Sequence, residues 1–197
     1  MIELIPETYV APLDLLATFG RIAPLHVDLG CGDGSFLCEL AARCPQKNFL
    51  GIERLVGRVA KACRKVAELD NVRVLNMESS YAVRYLLPEA SVETFYLLFP
   101  DPWPKRRHHR RRIVKTDFLD SIHRALVEHG FFRTATDQLD YFDQISHLAR
   151  THSGFEIVDL DASPARTGFP PSTFERRFLK ENVEVYRLAL RKVSPVM

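Results

Sequence analysis

Leu25-His26-Val27-Asp28-Leu29-Gly30-Cys31-Gly32-Asp33-Gly34-Ser35 is the stretch on which the fold turns. Its first five residues are mostly apolar and short enough for a buried strand. The three alternating glycines predict a tight turn, and the spacing that follows predicts a helix over 35–43. A strand that enters a helix through glycines is the opening of a strand–helix–strand unit, and the rest of the chain shows whether the unit repeats.

It does. Residues 48–52 read as a second strand ending at Glu53, and Leu55, Val59, Ala62, Val66 and Leu69 then recur at helical spacing. Strands follow at 72–77 and 92–99. Phe118, Leu119, Ile122, Leu126 and Val127 predict a helix, 131–135 a strand closed by Thr136-Asp137, and Tyr141, Ile145, Leu148 and Ala149 another helix. Two late strands, 155–160 and 183–190, are separated by a long connection over 161–182 that carries Pro164, Gly168, Pro170 and Pro171. Strands alternating with helices predict an α/β fold: a mostly parallel seven-stranded sheet, helices on both faces, and an antiparallel hairpin at the C-terminal end. Such sheets bind ligands at the carboxyl ends of their strands.

Composition narrows the class. The chain has 197 residues, 46% hydrophobic and 26% charged, which suits one globular domain spanning 1–197. No apolar stretch approaches the roughly 18 to 20 residues needed to span a bilayer, and no basic-then-apolar leader opens the chain, so a cytoplasmic protein without a membrane partner is expected. Cys31, Cys38, Cys44 and Cys63 follow no metal-ligand spacing and are expected as free thiols with no metal. The formal net charge is only +2, yet the 105–112 run holds six Lys/Arg and two His in eight residues.

At the glycine turn, Gly30, Gly32 and Gly34 form G-x-G-x-G rather than the dinucleotide fingerprint G-x-G-x-x-G, which favours a nucleoside ligand lacking a pyrophosphate. Asp28, just ahead of the turn, is placed to accept from a ligand ammonium, and Glu53, at the end of the second strand, to accept from two ribose hydroxyls. Carboxylates at both points suit a cationic ligand. S-adenosylmethionine carries an ammonium, a sulfonium and a ribose, and Glu78, after the third strand, would lie near its adenine. The bland alternative is a structural glycine turn with solvated acids at strand ends.

A second informative stretch, Pro100-Asp101-Pro102-Trp103-Pro104-Lys105, leaves the fourth strand and runs into Arg106-Arg107-His108-His109-Arg110-Arg111-Arg112. An acid and an aromatic just past a strand end, beside an uninterrupted cationic run, read as a pocket for something flat next to a surface for a polyanion. Trp103 can stack on a base or pack beneath its own loop. Ser172-Thr173-Phe174-Glu175 reads as a helix start with Thr173 as its cap.

Together, these motifs resemble a class I methyltransferase, and the 100–105 segment with Arg107-His108 and Arg111-Arg112 resembles the tRNA (guanine-N7)-methyltransferase family. Asp28-Leu29-Gly30-Cys31-Gly32, Gly51-Ile52-Glu53, Asn76-Met77-Glu78, Thr136-Asp137 and Ser172-Thr173-Phe174-Glu175 fall in the family's order. The resemblance implies a Rossmann-like fold, S-adenosylmethionine as methyl donor held by Asp28, Gly30, Gly32, Glu53, Glu78 and Asp101, and a tRNA substrate methylated at guanine 46 of the variable loop. It implies that Lys105, Asp137, Ser172, Thr173, Phe174 and Glu175 contact the RNA, with Asp101 as the catalytic residue. The family often has Glu at 28, Asp at 78 and Thr at 172, and a longer basic N-terminal extension, whose share of RNA binding is expected to fall here to the 105–112 run or be lost. The expected oligomeric state is monomer or homodimer. Three other functions remain open on the residues alone: methylation of an exocyclic amine of adenine or guanine in RNA, a catalytically silent RNA-binding protein, and methylation of a small molecule, the last disfavoured by the cationic run beside the pocket.

Overall fold

The computed structural model describes residues 2–158 and 172–194, with Thr173 and Phe174 described in backbone only. The strands are β1 (Glu3–Leu4), β2 (Leu25–Leu29), β3 (Asn48–Glu53), β4 (Val72–Asn76), β5 (Val92–Leu98), β6 (Leu126–Thr136), β7 (Phe155–Val158) and β8 (Tyr186–Lys192). They form one sheet in the order β1-β4-β3-β2-β5-β6-β8-β7. Contacts from β1 through β6 are parallel, whereas β8 runs antiparallel to both β6 and β7. The helices are α1 (Leu15–Phe19), α2 (Ser35–Arg43), α3 (Val56–Lys65), α4 (Ser79–Tyr81), α5 (Thr116–Ala125), α6 (Leu139–Thr151) and α7 (Thr173–Lys180). A π-helical turn, Ala82–Leu86, continues α4, and a 3₁₀ turn spans Arg106–Arg111.

Both faces of the sheet are covered. Phe36, Leu37 and Leu40 of α2 with Val59 and Ala62 of α3 fill one side. Phe118 and Ile122 of α5, Tyr141 and Ile145 of α6 and the π-helical turn fill the other. Every residue of β2 is consequently buried, which is why its sequence is a nearly continuous apolar run rather than an alternation. From β2 the chain builds outward to β3 and β4 on one side, then returns to lay β5 and β6 on the other. That reversal leaves a crevice above the carboxyl ends of β2 and β5, the place where open sheets bind ligands. The glycine turn leaves β2 there, and the Pro-Asp-Pro-Trp loop leaves β5 beside it.

The architecture is the expected one, with three local differences. The sheet has an eighth strand, since two residues of β1 add to its β4 edge, and no period-2 pattern marks a strand that short. Leu126 and Val127 begin β6 instead of ending a helix. Leu126 is buried in the core in either conformation, so its apolarity does not discriminate between them. Within the expected 161–182 connection, the described part contains α7, capped by Ser172 and not Thr173: the Ser172 hydroxyl accepts from Glu175 N at 3.1 Å. The expectations for Pro164, Gly168, Pro170 and Pro171 lie outside the described residues.

Candidate active site

The three glycines of the turn all adopt positive φ, at 75°, 59° and 75°, but they serve two ends. A Cβ on Gly30 would meet nothing within 4 Å, and one on Gly32 only the Gly30 carbonyl at 4.0 Å. These two therefore hold open space at the crevice. Gly34 is a packing glycine: its Cβ would lie 2.9 Å from Cα and Cβ of Ala62, so its bareness lets α2 approach α3. Gly30 N and Cys31 N donate to Ile52 O at 2.8 and 3.0 Å, tying the turn to β3.

Glu53 completes this wall. Its side chain is buried, with Oε2 accepting from Gly32 N at 3.1 Å and Oε1 from Leu55 N at 2.9 Å, and Arg58 approaches at 3.9 Å. Asp28 is 4% exposed beneath the turn. Desolvation, reinforced by the charge of Glu53, pushes its carboxyl up to about 7. A cation brought to this wall would restore the ionised form, so the two acids are matched to a positively charged ligand. Cys31 is a buried free thiol that burial pushes far above its usual range, which fits a small packing residue.

Gly30, Glu53, Arg54, Glu78, Asp101 and Trp103 come together around a cleft of about 540 Å³. Of the residues expected on the cofactor side, Gly30, Glu53, Glu78 and Asp101 line this cleft, whereas Asp28 and Gly32 do not. Glu78 lines the cleft with its carboxylate engaged as the cap of α4, accepting from Ser80 N at 3.0 Å and Tyr81 N at 2.8 Å. Asp101 is 70% exposed at the rim, 3.6 Å from the Arg54 guanidinium.

The Asp101 loop is held in an unusual shape. Phe99 and Trp103 adopt φ of 53° and 45°, costly for bulky side chains and sustained only by surrounding contacts. Phe99 N donates to Ala135 O at 2.8 Å, and the Phe99 ring meets Phe178 of α7 at 5.2 Å. Arg112 supplies the other anchor. It is 1% exposed, donates from Nε to Pro102 O at 2.8 Å and from Nη1 to Gln144 Oε1 at 2.8 Å, pairs with Asp140, and lies over the Tyr141 ring. Arg112 therefore departs from the expectation that the whole 105–112 run faces a polyanion. Burial and three protein acceptors commit it to the loop. Lys105, Arg106, Arg107, Arg110 and Arg111 remain exposed. Trp103 is half-buried against the cleft with the Arg111 guanidinium 4.8 Å above its ring and His108 edge-on at 5.9 Å.

Of the expected RNA contacts, Lys105, Asp137, Ser172 and Glu175 are not in the lining of this cleft, and the side chains of Thr173 and Phe174 lie outside the described residues. Lys105 is exposed at the head of the 3₁₀ turn; Asp137 follows β6, its carboxylate accepting from Gln138 Nε2 at 2.7 Å. Ser172 caps α7, and Glu175 accepts from Arg187 Nε at 3.0 Å. Helix α7 reaches the crevice end of the sheet through Phe178 on Phe99 and an Arg176–Glu39 ion pair to α2. Sequence reasoning missed Arg54 and Arg58; the available signal was one arginine directly after the acid that ends β3 and a second one helical turn further on.

Residues 22–188 match a family described as "Putative methyltransferase". The chain is 39% identical over 191 residues to a tRNA (guanine-N(7)-)-methyltransferase of Halorhodospira halophila, covering 95% of this chain and 82% of that one. It belongs to the tRNA (guanine-N(7)-)-methyltransferase family. A member from Aromatoleum aromaticum is 36% identical, covering 93% of this chain and 71% of that one; for one from Thermotoga maritima the figures are 34%, 98% and 62%. Among solved structures, the fold is shared with the aminoglycoside resistance methyltransferase NpmB1 (TM-score 0.59, 17% identity, covering 91% of this chain and 92% of that one). It is shared likewise with an rRNA methylase from Streptococcus thermophilus (TM-score 0.57, 12% identity, covering 92% and 93%). Open space over Gly30 and Gly32 beside two buried acids, Asp28 and Glu53, fits a ligand that carries positive charge, as a sulfonium cofactor does.

Proposed function

We propose that the chain transfers a methyl group from S-adenosylmethionine to N7 of guanine 46 in the variable loop of tRNA, working in the cytoplasm. The observation that carries this reading is the meeting, in one cleft, of Gly30 and Glu53 with Asp101, Trp103 and Arg111. The first pair is suited to a cationic nucleoside, the second group to a purine attached to phosphates.

When bound, S-adenosylmethionine supplies an electrophilic methyl group on a positively charged sulfur. Guanine N7 has a lone pair and no proton to lose, so alignment and electrostatics do the chemistry and no general base is needed. Asp28 and Glu53 hold the cofactor side. Asp101 stands where the guanine edge would lie: its carboxylate accepts from N1–H and the exocyclic amine and opposes the positive charge the purine gains. Its exposed pairing with Arg54 is worth at most about 1 kcal/mol, so leaving Arg54 for the base costs little. Lys105 and the exposed arginines of the run hold phosphates, with Asp137 and the Ser172–Glu175 face of α7 beside them.

The test is incubation of the protein with labelled S-adenosylmethionine and unmodified tRNA, followed by nucleoside analysis. 7-Methylguanosine from position 46 is expected. Label in 6-methyladenosine or 2-methylguanosine, or no label, would refute the reading.

A further inference from the structure

A second cleft, of about 350 Å³, opens beside the first, and Glu78, Arg111 and Ile113 line both. Its other walls include Tyr81, Arg84 and Tyr85 on one side and Lys115 on the other. We propose that this cleft binds the nucleotide next to the target guanine, its base on an Arg84–Tyr85 platform and its phosphate between Arg111 and Lys115. The proposal rests on the substrate reading above and names a subsite of it.

The platform is built, not incidental. The π-helical turn Ala82–Leu86 winds one residue wider than an α-helix, a distortion common at functional sites, and leaves Arg84 and Tyr85 exposed. Arg124 stabilises it by donating Nη2 to the carbonyls of Val83 at 2.8 Å and Leu87 at 2.9 Å. Tyr81 is fixed by its hydroxyl donating to Tyr9 O at 2.9 Å, and its ring supports Tyr85 at 4.7 Å. The Arg84 guanidinium lies 5.3 Å over the Tyr85 ring, and Tyr85 remains 43% exposed. An aromatic ring with an arginine plane and neighbouring cations is the chemistry that holds unstacked nucleotides. The two acids in the lining are placed at helix starts: Glu78 caps α4, and Asp117 lies in the first turn of α5. Presenting guanine N7 in the first cleft extrudes that base, which strips its neighbours of a stacking partner. A cleft sharing the Arg111 wall adjoins the first and is the nearest place for such a neighbour.

The experiment is a double-mutant cycle read in binding. Affinity for unmodified tRNA is measured by fluorescence anisotropy for the wild type, Tyr85→Leu and Tyr85→Phe, against intact RNA and RNAs with an abasic site on either side of the target guanine. Tyr85→Leu and one of the two abasic sites should each weaken wild-type binding about 10-fold, within the usual range for one stacked base. Combined, they should cost no more than either alone, with Tyr85→Phe near wild type and cofactor affinity unchanged in all. Independent, multiplying losses, or no loss with Tyr85→Leu, would overturn the proposal. Because the cycle reads affinity, absence of 7-methylguanosine would count against the function and not against this subsite. Tyr85 is exposed, and unchanged melting temperatures establish that the variants fold.

Discussion

Replacing Arg112 by methionine should separate the two jobs hidden in the basic run. The guanidinium is 1% exposed and donates two 2.8 Å hydrogen bonds to part-buried oxygens, on Pro102 and Gln144. Bonds from a charged donor contribute about 1.5 to 3 kcal/mol each, so the pair is worth about 4 kcal/mol. Its position 4.6 Å over the Tyr141 ring adds about 1 kcal/mol. The Asp140 partner is 51% exposed and regains water, so that pair adds little. Burial of the methionine side chain returns about 2 kcal/mol, leaving a net loss of about 3 kcal/mol. For 197 residues, an unfolding entropy of about 0.4 kcal/mol/K converts this to a fall in Tm of about 7 °C, measured by circular dichroism. Binding discriminates further. Arg112→Met should leave the salt dependence of tRNA affinity unchanged, whereas Arg110→Met, which removes an exposed cation, should reduce the slope of log affinity against log salt by about 0.7 to 0.9. A Tm within about 2 °C of wild type, or a salt slope lowered as much as by Arg110→Met, would refute the assignment of Arg112 to the loop.

The glycine turn makes a paired prediction. Gly30→Ala should fold, with a modest loss for a side chain at positive φ, and lose cofactor affinity by calorimetry; Gly34→Ala, whose methyl would strike Ala62 at 2.9 Å, should lower Tm far more. Equal Tm losses would contradict the division of labour. Asp28 rises from its ordinary 3.8 to about 7, so the ligand-free fold binds an extra proton between those values. Its stability therefore falls as pH rises from about 4 to 7 and is level above, by up to about 4 kcal/mol in all. Asp28→Asn should remove that slope in denaturant melts. A cationic cofactor needs the ionised form, so its affinity should weaken up to 10-fold per pH unit below about 7 in the wild type only; the same weakening in Asp28→Asn would exclude this carboxyl as the source. Asp101→Asn should bind cofactor and tRNA within about 3-fold of wild type, while turnover falls about 100-fold or more, as for loss of a group aimed at developing charge. Near-normal turnover would remove Asp101 from the chemistry.

The sheet was legible because β2 and β3 are buried on both faces and separated by helices whose apolar spacing is clean, as in Val59, Ala62 and Val66. The acids of the site were legible for a related reason. In a parallel sheet the carboxyl ends of the strands lie along one edge, so Glu53, Glu78 and Asp101 come to one cleft once the strands are placed, with Asp28 buried beneath the turn. Arg112 was not legible, because a charged residue in a charged run carries no local mark of burial. Its acceptors, Asp140 and Gln144, sit on α6, and only tertiary structure brings them near. The same holds for Leu126 and for Arg84-Tyr85. Burial masks the first, while the π-helical turn that presents the second pair leaves no periodic trace over five residues.

Charge is layered in this site, and the layering bears on direction. Acids lie deep, with Asp28 and Glu53 each 4% exposed, while Arg54, Arg111 and Lys105 stand at or near the rim. A polyanion is drawn by the rim and a cationic cofactor by the floor, so the two ligands do not compete for the same groups. Methyl transfer moves a positive charge off the cofactor and onto the purine. The floor then loses the sulfonium charge but keeps the ligand ammonium, so Asp28, proposed to hold that ammonium, stays paired. At the rim, a methylated purine faces Arg54 and Arg111 with Asp101 as its nearby counter-charge. On the proposed reading the cofactor product therefore loses one attraction at the floor while the methylated purine gains one at Asp101, and Asp101 is the group whose loss would tilt that balance furthest.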